Sequence, residues 1–185
     1  HIAAYTGRNA TLVDANGPDR VINAAVSWDT FELLRVAPAL GRGFRAEEDA
    51  PGKANVIVLS HGMWQRRFGG AVDAIGQSIV LNGEAFTIVG VLRPDFVSLI
   101  RDAEIVVPYS PATDVRRGNR AQGFLRVIAR LKPGISAAQA NDDLDAIGRR
   151  LREEYPDAHA ADTAIRIVSL HEEMAGRSVP MLRML

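Results

Sequence analysis

Four histidines are the first residues to weigh for chemistry: His1, His61, His159 and His171. Imidazole is a common metal ligand and the usual general base near neutral pH. A helical metal pair needs two such ligands three or four positions apart, and no two of these stand so. His61 directly follows Ser60, but neighbouring side chains on a helix diverge, so the pair cannot act as nucleophile and base. The acidic run Glu47-Glu48-Asp49 could hold a cation or supply paired carboxylates. No matching acid elsewhere completes a two-carboxylate arrangement, and the run reads as a solvated loop. Gly41-Arg42-Gly43 is half of a phosphate loop without its Lys-Ser/Thr ending, and its glycines read as turn residues. Arg149, Arg150 and Arg152 stand beside Glu153 and Glu154, a mixture expected of a solvated helix face and not of a phosphate track. No catalytic, cofactor-binding or metal-binding residue is assigned from these patterns, and no cofactor is expected.

Composition narrows the classes further. The 185 residues include no cysteine, which removes disulfides, thiolate catalysis and cysteine-based zinc sites. Twenty-two basic residues balance 22 acidic ones, so no long-range field gathers nucleic acid. Hydrophobic residues make up 47%, enough to bury a core, yet no apolar run reaches the roughly 20 residues that span a bilayer. The opening His1-Ile2-Ala3 and the closing Met181-Leu182-Arg183-Met184-Leu185 read as cuts within a longer protein.

The elements that must position these residues follow from periodicity. Thr11–Val13 and Arg20–Val26 read as strands around an Asp14-to-Pro18 turn. Ser27 is placed to cap a short helix carrying Phe31 and Leu34. The β-branched run Asn55–Leu59 reads as a buried strand. Ser60 then caps a helix with Trp64 and Phe68 on one face, stopped by Gly69-Gly70. Asn82-Gly83, flanked by Gln77–Leu81 and Glu84–Val89, predicts a two-residue hairpin turn that sets Leu81 opposite Glu84 and Ile79 opposite Phe86. Glu104–Pro108 and Phe124–Leu131 read as further strands. Ser136 and Gln139 form a capping box for a helix whose Ala140, Leu144, Ile147 and Leu151 make an apolar stripe. Thr163–Leu170 reads as a strand, which would make the last third a βαβ unit. Val21–Val26, the Phe31 helix and Val56–Leu59 suggest a weaker copy of the same unit.

The residues from Val26 to Phe96 resemble the periplasmic core domain of MacB/FtsX-type ABC-transporter permeases. The resemblance rests on Val26-Ser27, Phe31, Leu34, Val36, Pro38, Gly41-Arg42 and Phe44. It continues through the acidic run, Val56, Val58-Leu59-Ser60, Trp64 and Phe68-Gly69-Gly70. Ile75-Gly76, Leu81-Asn82-Gly83, Ile88-Val89-Gly90-Val91, Pro94 and Phe96 follow in the same order. Leu131-Lys132-Pro133-Gly134-Ile135-Ser136 and Ala140 match the family's entry to its long helix. These positions are turns, caps and core aromatics, so they carry fold and not catalysis.

The resemblance implies an α+β fold, a porter-like lobe of βαβ units with a second, inserted, strand-rich lobe. Lobes are expected at 1–45 with 113–185, and at 46–112 around the hairpin at 77–91. It implies an extracytoplasmic, non-catalytic domain between two membrane helices, whose ATPase lies elsewhere. Its partners would be the permease's own transmembrane helices, a second permease subunit, and a periplasmic adaptor or lipoprotein. In that arrangement the segments near Tyr5 and Val179 should lie together at one end. Two other readings compete: a stand-alone periplasmic ligand-binding domain, and a hydrolase whose residues converge only in the fold.

Overall fold

The structure, a computed structural model, describes residues 1–14, 17–112, 114–119, 123–157 and 165–176. The chain divides into two compact units, His1–Gly118 with Phe124–Ala129, and Asn119–Gly123 with Arg130–Leu185.

The first unit is built of β1 (Ile2–Asp14), β2 (Gly17–Val26), α1 (Thr30–Leu34), β3 (Leu40–Gly41), β4 (Val56–Leu59), α2 (His61–Phe68), β5 (Ser78–Leu81), β6 (Glu84–Val91), β7 (Ile105–Pro108) and β8 (Arg126–Ala129). Neighbouring strands run β2-β7-β4-β6-β5-β1, and β1 also pairs with β2, so these strands close a ring. The β2/β7 and β4/β6 pairs are parallel and the other ring pairs antiparallel. β8 pairs with the start of β1, and β3 with β6.

Alternation along the strands gives the ring two buried faces. Ala10, Leu12, Val21, Ile57, Leu59, Ile79, Leu81, Ile88, Ile105 and Val107 form one cluster, to which every ring strand contributes. This is the ring's interior, and Met63, Trp64 and Phe68 of α2 pack against it. The alternate residues Ala24, Val26, Val58 and Val106 face the other way and join Phe31, Phe44, Leu92 and Leu99 in a second cluster. β4 is therefore buried on both faces, as its unbroken β-branched run predicts.

The Asn82-Gly83 hairpin forms with the expected register, and both residues have positive φ, 51° and 87°. Ser60 caps α2 by accepting from the Met63 N–H at 3.1 Å, and Gly69 ends the helix in the left-handed conformation. Ser27 does not cap α1. Its Oγ instead accepts from the Ala4 N–H at 2.9 Å, joining the end of β2 to β1, and the helix starts later, at Thr30. β1 is far longer than the expected Thr11–Val13 segment. The turn residues Ala15 and Asn16 lie outside the described residues.

In the second unit, α3 (Ala137–Glu154) opens with the expected capping box, in which Ser136 Oγ accepts from the Gln139 N–H at 3.2 Å. α4 (Leu170–Gly176) follows. Ile147 is 46% exposed, while Gly148 is the buried residue of α3. The covered face thus runs through Ala140, Asn141, Leu144, Gly148 and Leu151, rotated from the predicted stripe.

The mixed fold with strands dominant is the expected one, but among the described residues the two βαβ units are not found. Residues 165–169 form no strand, because the Ile167 N–H bonds the Asn141 side chain at 2.9 Å where a ladder partner would be needed. Residues 158–164 lie outside the described part. β2 runs parallel to β7 and β4 antiparallel to it, so β2 and β4 run in opposite senses and cannot frame a parallel crossover. The division at 45/46 and 112/113 is not that of the two units either, since β1 and β2 share one ring with β4 to β7. Val179 lies outside the described residues, so its expected place beside Tyr5 is not part of this description.

Candidate functional site

The acidic run and the Gly41-Arg42-Gly43 turn prove to be one construction. Gly41 has φ 68°, and a Cβ there would collide with the Val89 carbonyl oxygen, so β3 lies against β6 only because this residue is glycine. Gly90, directly opposite, is equally close to the Arg42 carbonyl. From this anchor the Arg42 guanidinium grips buried Glu48 with two hydrogen bonds, of 2.6 and 3.0 Å. Glu48 also accepts from the Arg45 N–H at 2.8 Å. Burial pushes the Glu48 carboxyl up. The hydrogen bonds from Arg42 and Arg45, with the charges of both arginines, outweigh it and hold the group below its ordinary value. A carboxylate so saturated by one fork and one amide is a clamp and not an acid–base catalyst.

Asp49 stands next to it in the opposite condition. Its Oδ2 accepts from the Trp28 N–H at 3.3 Å, and its Oδ1 is buried with no hydrogen-bond partner among the described residues. Burial pushes this carboxyl up to about 6. The Trp28 bond opposes the rise, and the charges of Asp29 and Glu48 add to it.

A second cluster, unannounced by any motif, stands at the end of the ring. Asp114 accepts from Arg8 at 2.8 Å and from Arg116 at 2.7 Å, although Arg8 comes from β1 and Arg116 from the short 3-10 turn that follows Asp114. The Arg116 hydrogen bonds hold the Asp114 carboxyl far below the usual carboxylate range, against its burial. The Arg116 guanidinium also lies 3.7 Å from the centre of the Phe124 ring, a cation–π contact. The local signal was only Asp114-Val115-Arg116, and Arg8 is too distant in sequence to be read as a partner.

The remaining candidates do not converge. His61 packs edge-on against Trp64 at 5.4 Å. His1 and His171 are exposed, and His159 lies outside the described residues. Arg149 and Arg150 are exposed, whereas Arg152 turns its guanidinium toward Gly148. Arg66 pairs with Glu104, and Arg67 with Asp14 and Asp19. Among the described residues no three His, Asp or Glu side chains come together as a metal ion would require, and no helix is long and apolar enough to cross a membrane.

Comparison with known proteins gives a consistent neighbourhood. The family described as MacB-like periplasmic core domain matches residues 1–147. The Pyoverdine export ATP-binding/permease protein PvdT of Pseudomonas syringae pv. tomato is 29% identical over 106 residues, covering 56% of this chain and 16% of the relative. PvdT of Pseudomonas entomophila is 27% identical over 166 residues, covering 88% of this chain and 24% of the relative. The chain therefore spans less than a quarter of these curated relatives. Among solved structures, the periplasmic region of MacB from Actinobacillus actinomycetemcomitans superposes with a TM-score of 0.62 at 14% identity, over 97% of this chain and 75% of that one. The extracellular domain of the transporter YknZ from Gram-positive bacteria gives 0.60 at 16% identity, over 84% and 76%.

Proposed function

The chain belongs to the MacB-like periplasmic core domain family, and from that premise we propose that it is the extracytoplasmic domain of an ABC-transporter permease that couples a cytoplasmic ATPase to events outside the membrane. On this reading the domain performs no covalent chemistry. It receives displacement from membrane helices of the same permease and passes it to a substrate, a lipoprotein or a periplasmic adaptor, with a second permease subunit alongside. Because its relatives are named as export proteins, the cargo moves outward.

The observation that carries the proposal is the family match over residues 1–147. The ring supports it physically. A shared interior core to which every ring strand contributes resists internal deformation, so an applied displacement moves the unit as a body.

The siting has its own test. These 185 residues include no cysteine, so a Val97→Cys variant of the full-length protein carries one thiol among them, at a residue 68% exposed. A membrane-impermeant maleimide should label it in intact cells with a permeabilised outer membrane. Labelling only after the inner membrane is broken would contradict an extracytoplasmic domain.

A further inference from the structure

The interior of the ring is apolar at one end and polar at the other. On β2 the inward positions are Val21, Asn23 and Ala25, and on β1 they are Arg8, Ala10 and Leu12. Arg8 and Asn23 are direct cross-strand partners, so their side chains leave the ring wall side by side. Beyond them opens a cavity of about 570 Å³, whose lining also includes Ala25, Glu84, Phe86 and Val107. That volume lies in the range of small-molecule sites, and barrel mouths are among the places where such sites occur.

The lining has a specific incompleteness. Asn23 is 8% exposed, and its Oδ1 has no hydrogen-bond donor among the described residues. An acceptor that is buried without a donor costs free energy, and a ligand that donates to it recovers that cost. Arg8 is held by its bond to Asp114, which lines the same cavity and takes one of its N–H groups, leaving the guanidinium with further N–H groups to offer. Glu84 supplies a second acceptor, this one charged, and Phe86, Ala25 and Val107 supply an apolar wall.

We propose that this ring mouth is a binding site for a small zwitterionic ligand of the amino-acid or dipeptide class. Asn23 Oδ1 and Glu84 receive the ammonium and amide N–H groups, Arg8 receives the carboxylate, and the Phe86 wall receives an aliphatic side chain. The site lies wholly within the first unit and does not depend on the transport reading.

The probe is the dipeptide alanyl-leucine, titrated into the 185-residue chain and followed by amide chemical shifts. The expected result is saturable shifts at Arg8, Asn23, Phe86 and Val107. N-acetylated and C-amidated forms should each bind at least about tenfold more weakly, because each removes one charged contact. Asn23→Leu should weaken binding by a similar factor. If that variant fails to fold, exposed Glu84→Gln replaces it, with weaker binding expected again. No saturable shift at millimolar dipeptide, shifts confined to other surfaces, or equal affinity for the blocked forms would each overturn the proposal.

Discussion

Asp49 and Glu48 are adjacent carboxylates with opposite electrostatic fates, and the difference lies in donors. Glu48 has the Arg42 fork and the Arg45 amide. Asp49 has one N–H and a buried bare oxygen. Its carboxyl is raised from 3.8 to about 6, so the folded chain binds that proton more tightly than the unfolded chain does. The stabilisation is fully present below 3.8 and is lost as pH rises through about 6. Asp49→Asn removes this dependence. Between pH 4 and pH 7 the variant should gain stability relative to the parent, read as the difference between their urea midpoints. A constant difference across the range would contradict the burial of Asp49. None of this was legible in Glu47-Glu48-Asp49 as a sequence, because the three residues look alike until the fold assigns their neighbours.

At the scale of elements, the Asn82-Gly83 turn has two tasks. Its positive φ values form the hairpin, and Asn82 also closes the ring. β1 and β5 pair over only two residues, Leu12 and Val13 against Leu81 and Val80. Asn82 extends that seam, its Oδ1 accepting from the Thr11 N–H and its own N–H donating to the Thr11 carbonyl, both at 2.8 Å. Gly83→Val should cost about 1 kcal/mol or more, since a β-branched residue resists φ 87°. Nothing lies within 4 Å of a Cβ there, so the Cβ itself meets no neighbour and the backbone conformation carries the cost argued here. An unchanged melting midpoint would contradict the turn geometry. The hairpin, the α2 cap and the α3 capping box were legible because each is decided by residues a few positions apart. β1 was not, because Ala3, Ala4, Gly7 and Asn9 have little strand preference, and its length comes from pairing with β2, β5 and β8. The expected strand at 163–170 had the right β-branched residues. Strands need partners, however, and Asn141 takes the Ile167 N–H instead. The α3 stripe missed by one position because Gly148, apolar only by its lack of a side chain, marks the covered face better than Ile147 does.

For the whole molecule, the order and spacing of turns, caps and core aromatics carried the family, which no single residue would have done. Composition and motifs alone stopped at an α/β domain without a recognisable active site, and positions that carry the resemblance, such as Gly41 and Trp64, hold structure in place: Gly41 lets β3 lie against β6, and Trp64 packs on the ring's interior cluster. The proposed coupling role requires that the domain move during the transport cycle. The most direct measurement is made in the full-length transporter, with one cysteine introduced into His1–Gly118 and one into Arg130–Leu185, at a pair that a crosslinking screen finds to oxidise to a disulfide. Because these 185 residues include no cysteine, no other thiol among them competes for that bond. Oxidation should abolish export while leaving ATP binding intact, and reduction should restore export; undiminished export from the locked protein would contradict the coupling role.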